Sequence, residues 1–210
     1  MSEIKIKRET PEGFEYVPSI NLYVSIEKEF LDENWQKTRE IIEKSGDRIP
    51  TPWEFTQFLA YEKFKNPDFY KKTTEIKERW EGEFLDGFFK NVEKKLCIFY
   101  HMFDKEGKIK TKYEPIRETN THERKNISID DWIESSTHQG FPKWKIKEGN
   151  FRYWPPQDKY TKEKGAPCPP AKPLVGIFGS EVDGGVLNFQ ANQNYRYALV
   201  GARRVRFVGN

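Results

Sequence analysis

From Phe14 to Ile26 apolar residues alternate loosely, as Phe14 and Tyr16 and then Leu22, Val24 and Ile26, with Pro18 between them. This period of two predicts one or two short strands. The period then changes. Leu31, Trp35, Thr38, Ile41 and Ile42 recur every three or four residues and form one apolar stripe, which predicts a helix with Asp32 as N-cap and Gly46 as C-cap. Thr51-Pro52-Trp53-Glu54 is a capping box with proline at the first helical position. A second helix follows, with Phe55, Phe58 and Leu59 on its buried face, and Asn66-Pro67 ends it.

Beyond Pro67 the apolar positions Phe69, Ile76, Trp80, Phe84, Leu85, Phe88, Phe89 and Val92 again suit a helical reading to Lys94, broken near Gly82 or Gly87. Leu96–Phe103 and Ile109–Ile116 read as a hairpin around the turn Asp104-Lys105-Glu106-Gly107. Ser128 to Asp131 resembles another capped start, leading into a short helix with Ile129, Trp132 and Ile133. From Gly140 to Pro173 prolines, glycines and aromatic residues alternate without period. This predicts irregular backbone pinned by rings, with short strands around Trp144–Ile146 and Phe151–Trp154.

The segment Gly176–Asn210 differs from everything before it. Between Leu187 and Gly201 the only charge is Arg196, and amides and tyrosines stand side by side without helical spacing. Tyr and Asn are the residues of paratope loops, which combine rigid contact area with adaptable hydrogen bonding. The run Ala202–Val208 predicts a closing strand. The segment therefore reads as a displayed surface followed by its anchor; an ordinary polar loop before a terminal strand is the plainer alternative.

Composition narrows the function classes. The 210 residues suit one domain, and 6 Trp, 10 Tyr and 16 Phe supply a core despite 33% charged residues. A net charge of +3, with bases interleaved among acids, gives no nucleic-acid footprint. No apolar run is long enough to span a membrane and no signal peptide is visible, so no membrane partner is expected. The location stays open between the cytoplasm and a virion or cell surface reached by an unseen route. Cys97 and Cys168, far apart in sequence, suit a reducing compartment, with a single bridge between them as the alternative.

Two distant landmarks carry a resemblance. The helix followed by Arg48-Ile49-Pro50-Thr51 and a second helix with Glu54 resembles an element of the C-type lectin fold found in formylglycine-generating enzymes and their bacterial relatives. Val200-Gly201-Ala202-Arg203-Arg204-Val205-Arg206 resembles the closing strand of that fold. Between them, Leu187-Asn188-Phe189 running to Gly201-Ala202-Arg203 resembles the variable region of proteins diversified by retroelements, which include phage tropism determinants. The resemblance covers about the first quarter and last sixth of the chain.

The resemblance implies a single α+β domain over residues 1–210 of C-type lectin-like fold. It would have two N-terminal helices, a central insertion at about 67–150, a variable region at about 176–206 and a C-terminal antiparallel strand. It also implies function: a monomeric binding protein, not an enzyme, that recognises an unknown protein ligand without cofactor or metal. Such retroelements mutate at adenine, so a template Asn codon yields any codon ending in a pyrimidine. By the ungapped match those positions fall on or near Ala191, Tyr195, Tyr197 and Leu199, all of permitted type, whereas Gln190 and Gln193 are of excluded type and would be scaffold. A neighbouring loop with Phe178, Gly179, Ser180, Val182 and Asp183 would complete the ligand-binding site, and Arg203, Val205 and Phe207 would tie the last strand to the core.

Other chemistry finds little support. His101, His122 and His138 match no metal-ligand spacing. Formylglycine-generating activity needs paired cysteines near the chain end, and Gly176–Asn210 has none. Calcium-dependent sugar binding needs motifs that Glu114-Pro115-Ile116 does not supply. Alternatives to the binding reading are an enzyme of formylglycine-generating type with altered or lost chemistry, and a structural phage or surface protein.

Overall fold

A computed structural model of the chain describes residues 9–29, 32–75, 81–93, 95–117, 124–156, 174–181, 184–194 and 199–209. In chain order the first strands are β1 (Phe14–Val17) and β2 (Leu22–Ser25), followed by helices α1 (Trp35–Lys44), α2 (Pro52–Lys65) and α3 (Pro67–Thr74). Strands β3 (Glu81–Val92), β4 (Lys95–Phe103), β5 (Ile109–Pro115) and β6 (Lys125–Ile127) precede helix α4 (Ile129–Ser135). The remaining strands are β7 (Phe151–Trp154), β8 (Leu174–Glu181), β9 (Gly184–Asn192), β10 (Val200–Gly201) and β11 (Val205–Phe207). The class is mixed α+β.

Two sheets organise these elements. The small one has the order β1-β2-β11, so the late strand β11 lies antiparallel to the early strand β2, with Val205 opposite Val24. The large one runs β5-β4-β3-β8-β9-β7-β6, with β10 added in parallel to the start of β3. Neighbouring residues Phe84 and Leu85 of β3 belong to different apolar clusters, which places one cluster on each face of this sheet. On one face Phe55, Phe58 and Leu59 of α2 and Trp132 of α4 meet Phe178 and Phe189; on the other, Trp35 and Ile42 of α1 meet Val175, Ala191 and Val200.

Local chemistry sets most boundaries. Asn34 caps α1 by accepting from the Lys37 amide at 2.9 Å, and Gly46 follows the helix with φ +79°. The cap is therefore Asn34, where the pattern had suggested Asp32. Thr51 and Glu54 form the reciprocal capping box of α2. Asn66 both ends α2 and starts α3, its side chain accepting from the Phe69 amide at 3.2 Å. Ser128 caps α4.

The helical reading of Pro67–Lys94 is corrected: the helix stops at Thr74, and Glu81–Val92 is the central strand β3. A strand covered on both faces loses its alternation and becomes a continuous apolar run, and a register shift between Leu85 and Phe88 brings the remaining positions into helix-like spacing. Trp144–Ile146 is likewise a turn, not a strand; the Ile146 amide donates to the Lys143 carbonyl at 3.0 Å.

The Arg48–Thr51 connection is pinned from both sides. Arg48 exchanges two backbone hydrogen bonds with Val205, at 3.1 and 2.7 Å, and the Asp86 amide donates to the Pro50 carbonyl at 2.8 Å. The guanidinium of Arg48, 1% exposed, donates to both carboxylate oxygens of Glu54, at 2.7 and 2.5 Å. One carboxylate thus closes the capping box and neutralises a buried cation.

Candidate functional site

The C-terminal segment is built on the β8–β9 hairpin, whose strands pair from Leu174 opposite Asn192 to Glu181 opposite Gly184. Its inward face is aromatic. The Phe178 ring stacks on Phe151 at 5.6 Å and on Trp132 at 5.8 Å, and Phe189 meets Phe89, Phe141 and Tyr153. Side-chain hydrogen bonds hold the outer edge of β9. Gln190 donates to the Pro155 carbonyl at 2.7 Å and accepts from Arg124 at 3.1 Å, which makes it a structural residue. After β9 the Asn192 side chain accepts from the Asn194 amide at 3.0 Å and starts a turn.

Chain return is fixed as firmly. Leu199, at φ +65°, accepts at its carbonyl from the Gly82 amide at 3.3 Å and delivers the backbone into β10. Ala202 then exchanges backbone hydrogen bonds with Glu29 at 2.8 and 3.0 Å. Arg203 is buried. Its guanidinium donates to Glu83 at 2.9 Å and to the carbonyls of Ser25 and Ile26, with the rings of Phe58 and Phe69 alongside. Arg206 donates to both oxygens of Asp47 at 2.8 and 2.9 Å, a contact that raises its guanidinium above its ordinary value. Arg204 pairs with Glu29 at 2.7 Å and Asp47 at 3.5 Å. All three late arginines are matched by carboxylates of the frame.

The nine positions expected to bind ligand separate sharply. Leu199 is on the surface, 42% exposed. Phe178 and Ala191 are each 2% exposed and lie in the two opposite cores, so neither side chain offers contact surface. Phe178, Gly179 and Ser180 belong to β8 rather than to a loop, and Ser180 is buried against the start of β3. Gly179 is needed for close packing: a Cβ there would lie 2.2 Å from the Glu81 carbonyl oxygen. Gly179 thus marks a place where strands approach closely, whereas Gly184, at φ +136° and without such crowding, opens β9 in a conformation that suits glycine. Val182, Asp183, Tyr195 and Tyr197 lie outside the described residues.

The anchor residues stand as expected, Val205 fully buried and Phe207 half-buried against Phe103 with centroids 5.7 Å apart. The histidines take up polar contacts. His101 Nδ1 donates to Asp86 at 2.9 Å, while Nε2 accepts from Arg39 at 3.2 Å, so α1 is braced to β3 and β4. His138 Nε2 contacts Glu114 at 3.2 Å; His122 and Cys168 lie outside the described residues. Cys97 is a buried free thiol in β4. Among the described residues no group of three His, Cys, Asp or Glu could hold a metal ion, and no helix is long and apolar enough to cross a membrane. Sequence reasoning missed the Arg39–His101–Asp86 and His138–Glu114 contacts, because partners separated by 15 to 62 residues leave no local spacing to read. No protein-family model matches the chain, and no curated protein and no solved structure matches it either.

Proposed function

We propose that the chain is a non-catalytic binding protein of C-type lectin-like fold, the variable protein of a diversity-generating retroelement, and that the segment between β9 and β10 is its ligand-binding surface. One observation carries this reading. The segment leaves the sheet at Asn192 and re-enters it at Val200, and both ends are fastened by buried strands and by the enclosed Arg203–Glu83 pair. Such a frame fixes both ends of the segment by groups that lie outside it, which is what a surface must have if its residues are to vary. Tyr195, Tyr197 and Leu199 are the contact positions in this reading, and the two tyrosines supply anchors for a protein partner. Phe178 and Ala191 belong to the supporting frame. The protein acts as a monomer and uses no cofactor.

The decisive experiment is at the DNA level. Sequencing beyond the gene should find a near-copy of the codons for about residues 176–206, differing mainly at adenines, with a reverse transcriptase gene close by. Absence of both would remove the retroelement reading while leaving the binding surface to be tested by mutation.

A further inference from the structure

Away from the C-terminal surface, a cleft of about 230 Å³ opens between the first turn of α2, the strands β4 and β5, and the turn at residues 137–141. It is smaller than the roughly 300–1,000 Å³ of sites for drug-sized ligands, which suits a compact metabolite. Its walls are largely apolar: Trp53 comes from α2, and Ile98 and Met102 from β4. One carboxylate faces them. Glu114 on β5 accepts from the Tyr100 hydroxyl at 3.4 Å through one oxygen and from His138 Nε2 at 3.2 Å through the other. A carboxylate has about four acceptor positions, so each oxygen keeps capacity for a further donor. Burial and the neighbouring Glu114 both raise the Tyr100 hydroxyl above its ordinary value, which keeps it a donor.

The cleft is firmly built. Gly140, at φ +79°, packs so closely on α2 that a Cβ would lie 2.2 Å from the Trp53 nitrogen, and Trp132 donates to its carbonyl at 2.9 Å. Gln139 donates to the Pro115 carbonyl at 2.8 Å, which fastens the same turn to the end of β5. The other acid on the wall, Glu54, is committed to Arg48 and to the Thr51 amide, and it meets the positive end of α2. Glu114 is thus the carboxylate that a ligand would encounter, and the aromatic residues Trp53 and Tyr100 share the lining with it, a composition that suits a cation.

We propose that this cleft binds a small primary amine with a ring-sized apolar body, its ammonium group on Glu114 and its body against Trp53, Ile98 and Met102. The site is independent of the C-terminal surface. Methionine-methyl NMR provides a local readout, because the chain has only two methionines, Met1 and Met102. Titration of the full chain with phenethylammonium should shift the Met102 methyl signal saturably, with at least tenfold higher affinity than for neutral 2-phenylethanol and no binding of phenylacetate. Glu114→Gln should weaken amine binding at least tenfold. Ile98→Phe, which fills the cleft and keeps the carboxylate, should abolish it, and Leu199→Asp should leave it unchanged. The proposal is overturned if the amine gives no saturable shift, if the alcohol binds as tightly, or if Glu114→Gln binds the amine undiminished.

Discussion

Arg48 shows how much one residue can be asked to do. Its backbone joins β11, its guanidinium is buried against Glu54, and that glutamate also closes the start of α2. Replacing the arginine with an apolar residue of similar length leaves the carboxylate buried without its counter-charge. Removing one partner of a buried pair costs about 3–5 kcal/mol. Arg48→Met should therefore lower the unfolding free energy by that amount in chemical denaturation, with α2 and β11 loosened together. An exposed pair such as Lys37 of α1 with Glu33 just before the helix, at 2.6 Å, behaves differently: Lys37→Met should change stability by less than about 1 kcal/mol in the same assay.

Elements were legible in the sequence at several boundaries written in local chemistry, though the pattern puts the cap of α1 on Asp32 instead of Asn34. Thr51 and Ser128 announce helix starts through one side-chain oxygen each, Asn66 is legible only as the end of α2 and not as the cap of α3, and the β4–β5 hairpin is set by a short turn in which Asp104 accepts from the amides of Glu106 and Lys108. The strand β3 was not legible. Only β4 follows it directly; its other neighbour, β8, and its cover on both faces come from distant parts of the chain, and Phe84, Leu85, Phe88 and Phe89 fit a helical stripe equally well when read alone. In the candidate site the anchors Arg203 and Val205 could be read, while Phe178–Ser180 looked like a loop because close strand packing and turns both require glycine.

Packing between elements leads to two further expectations. The Tyr70 hydroxyl of α3 donates to Asp130 of α4 at 2.5 Å, and this bond, followed by Lys63, holds the Asp130 carboxyl below its ordinary value. A carboxyl lowered in the folded state stabilises it fully above the unfolded value, about pH 3.9, and the contribution is lost as pH falls through the lowered folded value. Tyr70→Phe should raise the Asp130 titration midpoint observed by NMR and reduce that acid-side contribution. The display segment predicts a contrast. Under the proposed reading, joint replacement of Tyr195, Tyr197 and Leu199 by Ala should leave stability within about 0.5 kcal/mol per site, whereas Phe189→Ala in the core of the sheet should cost about 3–5 kcal/mol. Paired thermal and denaturant melts decide this, and a large loss from the triple variant would count against a side-chain-independent frame.

At the level of the whole molecule, the small sheet makes the two ends of the fold mutually dependent. β2 has β1 on one side and β11 on the other, and Val205 is buried where α2, β2 and the Arg48 connection meet. Removal of residues 205–210 should therefore do more than fray an end. It exposes the β2 edge and uncovers the core beside Val24. The truncated chain should lose its single cooperative unfolding transition, as followed by circular dichroism and by tryptophan emission.

That same pairing imposes a schedule on biosynthesis. Ser25 leaves the ribosome about 180 residues ahead of the strand that completes its sheet. At translation rates of roughly 5–20 residues per second, the β2 edge waits on the order of ten to thirty seconds for its partner. During that interval an unpaired strand edge is open to other nascent chains, so yield should depend on chaperone capacity and expression temperature more than the stability of the finished protein would suggest.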